Sequence, residues 1–218
     1  MEDAAVVTAL RPDPRHEDRV RVMVGAKRVA TLSVRSVTEL GVVVGRAWTA
    51  DLAEAVAESE RADLAVHKAR GYLSRRPHTH RQLDLKLNQA GFEAKARREA
   101  LERLDRAGLI DDRAYAERLI EELKQRKGAG PRLVRSKLAA AGVDGKTVDE
   151  LMSQGHGDEL SEPERAMAYA ESQLGGLRRL EPEAAKRRLY GRMARRGYDT
   201  SVIREVVERL LGGETLSD

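Results

Sequence analysis

The chain has 218 residues, 41% hydrophobic and 35% charged, with no cysteine, one Trp and one Phe. Lack of cysteine excludes a disulfide framework and a thiolate metal site, and the scarcity of aromatics leaves Leu, Val, Ala and Met to build cores, which suits packed helices. The formal net charge of +4 is unevenly spread, at −2 over residues 1–60, +5 over 61–160 and +1 over 161–218, a mild bias towards an anionic partner.

The N-terminus, MEDAAVVTALRPDPRHEDR, has no basic region leading into an apolar one, so no secretory signal is read, and no run approaches the length of a membrane span. A soluble, cytoplasmic protein is expected. Residues 1–48 read as a β-rich segment. Arg19 to Val24 alternates with period two, Gly25-Ala26-Lys27 turns, and Arg28 to Val34 alternates again, giving a hairpin joined by a strand near Ala5 to Leu10. A short helix follows over Val34 to Leu40. An isolated hairpin is marginal in water, so it must pack on something, and Trp48 is the candidate anchor.

From Thr49, which can cap, the pattern turns helical through Leu52, Val56, Leu64, Tyr72 and Leu73. Pro77 breaks it. Thr79 with Gln82 forms a capping-box pattern opening a helix through Leu83, Leu85 and Leu87, and Gly91 is its C′ residue. A second helix runs from about Glu93 to Ala107. Leu109-Ile110 before Asp111-Asp112 reads as a hydrophobic staple and N-cap for a helix from Asp112 to Lys127. Pro131 at N1 starts the next, and Asp144 to Met152 follows. Ser153 to Glu162 is the best linker. Ser161 with Glu164 restarts a helix, Pro182 opens another that ends at Gly197, Asp199 to Leu211 is the last, and Gly212 to Asp218 is read as a frayed tail.

This order hides a repeat. An apolar residue, another four later and a glycine four after that recur as Leu83, Leu87, Gly91; Val134, Leu138, Gly142; and Leu189, Met193, Gly197. Phe92, Val143 and Tyr198 come next, a further apolar-periodic helix follows each, and a helix carrying Tyr72, Tyr115 or Tyr169 precedes each. The glycines lie 51 and 55 positions apart, so the unit is three helices long and the fold is mainly α, a tandem array of three-helix repeats whose units bury their faces on neighbours. The divisions are 1–48, 49–110, 111–153, 162–212 and the tail 213–218.

A search for chemistry finds no nucleophile elbow and no phosphate loop of Walker or dinucleotide type. His78 and His80 read as solvent or capping residues rather than metal ligands, and N-capping explains Asp111 and Asp112 better than a metal does. No enzyme and no cofactor are expected. Basic clusters say more: Arg75, Arg76, Arg81 and Lys86 surround the second helix of the first repeat, Arg126, Lys127, Arg132, Arg135 and Lys137 that of the second, and Lys186, Arg187, Arg188, Arg192, Arg195 and Arg196 lie on that of the third. Against DNA they would contact phosphates without reading sequence. An ordinary solvated face is the alternative. Aromatics are too few for a base-stacking platform, and the tyrosines sit at core-like positions.

The stretch Arg76-Pro77-His78-Thr79-His80-Arg81-Gln82-Leu83-Asp84-Leu85-Lys86-Leu87-Asn88-Gln89-Ala90-Gly91-Phe92, followed by Gly108-Leu109-Ile110-Asp111-Asp112 and Ala114-Tyr115-Ala116, resembles the RecX family marker R-x-H/Y-S-x-x-E-L-x-x-K-L-x-x-x-G-F and its later G-L-I/L-D-D. Thr79 and Gln82 replace Ser and Glu and keep capping competence. The match covers about residues 62–210 and is most specific in the first two repeats. The N-terminal hairpin segment looks like an extension that some members carry. The resemblance implies a non-enzymatic negative regulator of RecA: an elongated, curved helical array lying in the groove of the RecA–DNA filament and inhibiting ATP hydrolysis, strand exchange and LexA self-cleavage. The implied partners are the RecA filament and single- or double-stranded DNA, with the protein acting as a monomer and no membrane involved. A helical DNA-binding protein acting without RecA is the alternative, and a pure protein scaffold a third reading.

Overall fold

The computed structural model describes residues 5–126, 128–155 and 160–212, with the Arg126 side chain outside the description. Lys127, residues 156–159 of the linker and the 213–218 tail therefore lie outside the described residues. The chain divides into two compact units, Met1–Ile110 and Asp111–Asp218.

In the first unit, β1 (Val7–Asp13), β2 (His16–Val24) and β3 (Lys27–Ser33) form an antiparallel sheet in sequence order. Bulges at Val7/Ala9 and Val22/Met23 adjust the register. The sheet turns Val7, Val22, Ala30 and Leu32 inward onto Val42, Leu52 and Val56, with Trp48 half-buried beside them. α1 (Val34–Glu39) leads to α2 (Ala50–Leu73), whose 24 residues make a rod about 36 Å long. Its first half supports the sheet through Leu52 and Val56. Its second half, through Ala65 and Ala69, joins α3 (His80–Gln89) and α4 (Ala94–Arg106) around Leu83, Leu87, Ala100, Leu101 and Leu104. One helix thus belongs to two cores, so the β-rich segment and the first repeat share a scaffold. Leu64 and Leu85, grouped with the apolar stripe in the sequence, point outward at 43% and 49% exposure.

Polar contacts reinforce this junction. The outer edge of β3 faces α2, where the Thr31 N–H donates to Glu60 Oε1 at 2.7 Å and the Ser33 N–H to Asp63 Oδ2 at 2.6 Å. Buried Asp63 also accepts from the Ser33 hydroxyl (3.0 Å), the Ser36 hydroxyl (2.9 Å) and Arg103 of α4 (2.8 Å). A buried carboxylate is tolerable only when so satisfied.

The second unit holds two further three-helix repeats. The first contains α5 (Asp112–Glu121), α6 (Pro131–Ala141) and α7 (Gly145–Ser153), and the second α8 (Glu162–Leu174), α9 (Pro182–Arg195) and α10 (Thr200–Leu211). Their cores centre on Ile120, Val134, Leu138 and Leu151, and on Ala170, Leu189, Met193 and Ile203. The helix expected to run unbroken from Asp112 to Lys127 stops being α-helical after Glu121 and continues as one π-helical turn, Glu122–Arg126. The wider turn leaves consecutive Leu123 and Lys124 both buried. Asp111 caps α5 by accepting from the Ala114 N–H at 2.8 Å. Of the two apolar residues before it, Ile110 packs on the first repeat's core and Leu109 is exposed.

The repeat has a structural signature. Gly91, Gly142 and Gly197 adopt φ of +87°, +88° and +81°. The following residue donates back across the turn: Phe92 to the Leu87 carbonyl (3.1 Å), Val143 to Leu138 (3.1 Å) and Tyr198 to Met193 (3.4 Å). This is the Schellman closure, in which glycine supplies the left-handed residue and the next side chain folds onto the helix it ends.

Candidate nucleic-acid interface

The second helix of each repeat, α3, α6 or α9, begins differently. Thr79 caps α3 in the reciprocal capping box with Gln82. Gly130 and Glu181 precede α6 and α9 without a side-chain cap, each with proline at the helix start. Relative to the first buried anchor (Leu83, Val134, Leu189), a cation stands two residues before, at Arg81, Arg132 and Arg187, and three after, at Lys86, Lys137 and Arg192.

The structure divides the fourteen predicted site residues by what they already touch. Lys86 lies over the Tyr72 ring at 5.0 Å, and Arg196 over Tyr169 at 5.0 Å. Arg192 donates to Gln173 Oε1 at 3.1 Å. Arg132 pairs with Asp199 at 2.6 Å, and Arg135 pairs with Asp149. Both pairs are solvent-exposed, so each contributes at most about 1 kcal/mol. Arg75, Arg76, Arg81, Lys137, Arg187, Arg188 and Arg195 are exposed, and no side-chain partner holds them among the described residues. Arg126 and Lys127 lie outside the described side chains. The free cations are guanidinium and ammonium groups on helix surfaces, which suits phosphate contact rather than base reading.

His78 overturns a sequence expectation. It is 4% exposed instead of facing solvent, and its Nδ1–H donates to the Arg76 carbonyl at 2.8 Å, with Tyr72 beside it. Burial is the main reason that its pKa falls below the ordinary imidazole value; the hydrogen bond to the Arg76 carbonyl opposes this, and the charges of Arg76 and Lys86 add to it. The turn imposed by Pro77 carries the ring inward, which no local polarity pattern announces. His80 stays exposed, with Nε2 3.6 Å from Asp105. Among the described residues no three His, Cys, Asp or Glu side chains gather to hold a metal ion, and no helix is long and apolar enough to cross a membrane. A cleft of about 240 Å³ in the first unit is lined by Glu39, Glu58, Glu99, Lys95 and Arg103, much of it already ion-paired.

The sequence did not mark the residues that join the second and third repeats. The Gly130 N–H donates to the Arg196 carbonyl at 2.9 Å and the Arg132 N–H to the Gly197 carbonyl at 3.1 Å. The carbonyl end of α9 thus caps the amide end of α6, aligning opposite helix-dipole ends. A Cβ at Gly130 would lie 2.5 Å from the Gly197 carbonyl carbon, so only glycine allows this approach. Tyr198, 1% exposed, places its hydroxyl 2.7 Å from the Gly128 carbonyl and 3.2 Å from that of Arg165. A Gly-x-Gly-Pro start with no capping side chain was the available signal.

Burial raises the Tyr198 pKa to about 12. An unfolded tyrosine ionises near 10, so this group's stabilisation is complete below about pH 10 and is lost as pH rises to about 12, an effect of order 2–3 kcal/mol. Following phenolate absorbance, a late component near pH 12 is expected that Tyr198→Phe removes. A titration curve that Tyr198→Phe leaves without change near pH 12 would contradict the buried hydroxyl.

Family models match three stretches: the first three-helix domain of RecX over residues 65–104, the second over 111–152 and the third over 161–207. The regulatory protein RecX of Chlorobaculum tepidum is 30% identical over 158 residues, covering 72% of this chain and 94% of that protein. That of Trichlorobacter lovleyi is 34% identical over 143 residues, covering 63% and 89%. A crystal structure of regulatory protein RecX superposes with a TM-score of 0.79 at 18% identity, covering 93% of this chain and 98% of that one, which establishes the shared fold.

Proposed function

This chain belongs to the RecX family, and from that premise we propose that it is a negative regulator of the RecA recombinase. It binds along the groove of the RecA–DNA filament as a cytoplasmic monomer and inhibits ATP hydrolysis, strand exchange and LexA coprotease activity. The repeats 49–110, 111–153 and 162–212 act as three binding modules, with the basic second helices towards the filament. The observation that carries the reading is the recurrence of exposed, unpaired cations on that element: Arg81 on α3, Lys137 on α6, and Arg187, Arg188 and Arg195 on α9. A merely solvated face has no reason to repeat them.

The test is titration of the protein into preformed RecA filaments on single-stranded DNA while following ATP hydrolysis, with bare-DNA binding measured in the same buffer. Inhibition is expected well below the concentration that saturates bare DNA. Changing Lys137, Arg187 and Arg188 together to Ala is expected to weaken filament binding and to flatten its log–log salt dependence by about 2, at about 0.7 per single-strand phosphate contact. No inhibition, alongside firm salt-sensitive DNA binding, would instead mark a DNA-binding protein acting alone.

A further inference from the structure

We propose that Gly130, Gly197 and Tyr198 are positioning residues for nucleic-acid binding: they fix α6 against α9, so that the free cations of both helices engage one sugar–phosphate backbone together. The inference rests on the reading that these basic helices meet nucleic acid, and it assigns Arg132 a different part from its repeat counterparts.

The three turn glycines share a backbone conformation but not an environment. A Cβ at Gly91 would meet nothing within 4 Å, whereas at Gly197 it would lie 2.2 Å from the Leu133 nitrogen and 2.7 Å from its Cβ. The turn that merely ends α3 in the first repeat is sealed, in the third, against the start of α6. Two main-chain hydrogen bonds cross this seam, the buried Tyr198 hydroxyl reaches over it to Gly128, and the Arg132–Asp199 ion pair closes its exposed rim. Main-chain contacts at van der Waals limits leave little freedom to slide, because no side chain stands between the two backbones at Gly130 and Gly197 to absorb a shift.

Beyond this joint, the cations not held internally are Lys137 on α6 and Arg187, Arg188 and Arg195 on α9. α6 and α9 are 11 and 14 residues long, about 16 and 21 Å. Held in one body, the two sets act on a bound strand at a high effective concentration, and a strand gripped by one helix meets the other without a new search. Arg132 stands where Arg81 and Arg187 are free, yet its guanidinium closes the joint on Asp199. It positions rather than binds.

The test is the salt dependence of full-length protein binding to a labelled oligo-dT strand, for the native chain, Lys137→Ala, Arg132→Ala and Gly130→Ala. Gly130 has φ of −78°, which alanine adopts freely, so this substitution strains the seam and not the helix. Lys137→Ala is expected to reduce the magnitude of the log–log slope by about 0.7, the value of one single-strand phosphate. Arg132→Ala is expected to reduce it by less than Lys137→Ala does, because both main-chain hydrogen bonds and Tyr198 still hold the seam once the exposed rim pair is lost. Gly130→Ala removes no charge yet is expected to flatten the slope by at least as much as Lys137→Ala, because one helix leaves the strand. If Gly130→Ala loses its helical circular dichroism, Tyr198→Phe, which deletes one hydroxyl, takes its place with flattening in the same direction. A folded seam variant with the native slope overturns the proposal, as does Arg132→Ala matching Lys137→Ala. A native chain showing no salt-dependent binding removes the nucleic-acid reading itself, whereas a native slope untouched by the seam removes only this inference.

Discussion

Replacing Asp63 with alanine is expected to destabilise the first unit by about 3 kcal/mol, the low end of the cost of breaking a buried ion pair, because Arg103 keeps its pairing to Glu99. Asp63 and Arg103 have side chains 5% and 10% exposed, 2.8 Å apart. Without the carboxylate, the Ser33 N–H and the Ser33 and Ser36 hydroxyls also lose an acceptor. The only tryptophan, Trp48, lies in this unit, so urea unfolding followed by its fluorescence reports the unit alone. Combining Asp63→Ala with Arg103→Met is expected to recover part of the loss, since an apolar chain of similar length leaves no buried charge. A loss below about 1 kcal/mol for Asp63→Ala would mean that water replaces the carboxylate, and that the junction is wetter than the geometry implies.

Gly197→Ala is expected to be comparably damaging, at about 3 kcal/mol or more, and Gly91→Ala is its control. Both residues are left-handed, at φ +81° and +87°, so both substitutions carry a backbone strain of about 1–2 kcal/mol. Only at Gly197 does the new methyl also meet main chain, at 2.2 Å, and forcing a shift in packed structure costs roughly 1–3 kcal/mol more. Denaturation of the two variants, read by fluorescence for the first unit and by hydrogen exchange of α6 amides for the second, measures the difference. Equal losses at the two glycines would show that the seam yields without resistance.

The repeats were legible because their signals are local. An anchor, a second anchor four residues on and a glycine four later specify an amphipathic helix and its Schellman stop within one short window, and Leu83, Leu138 and Met193 are all fully buried as that pattern requires. The β-strands and the Thr79 and Ser161 caps were legible for the same reason. Partnerships across the chain were not. Nothing near Arg132 announces Asp199, 67 positions away, and nothing near Asp63 announces Arg103, 40 away. A charge count therefore treated Arg132, Arg135 and Lys137 alike, although the first two are ion-paired and the third is not. His78 shows the same limit in reverse: among histidine, arginine and threonine it looks like surface, and only the turn at Pro77 takes it inside.

The capping of α6 by the end of α9 has a consequence for biosynthesis. A chain leaving the ribosome emits everything the first unit needs by residue 110, so that unit can close while synthesis continues. The second cannot. The Gly130 and Arg132 amides await carbonyls at Arg196 and Gly197, more than sixty residues downstream, so α6 emerges with its first turn unfinished and stays so until α9 has been translated. A premature stop shortly before Tyr198 would therefore leave the second repeat uncapped as well as the third incomplete. The nascent second repeat, with its apolar anchors made and its cap still untranslated, is the stage at which a chaperone or protease would find this protein.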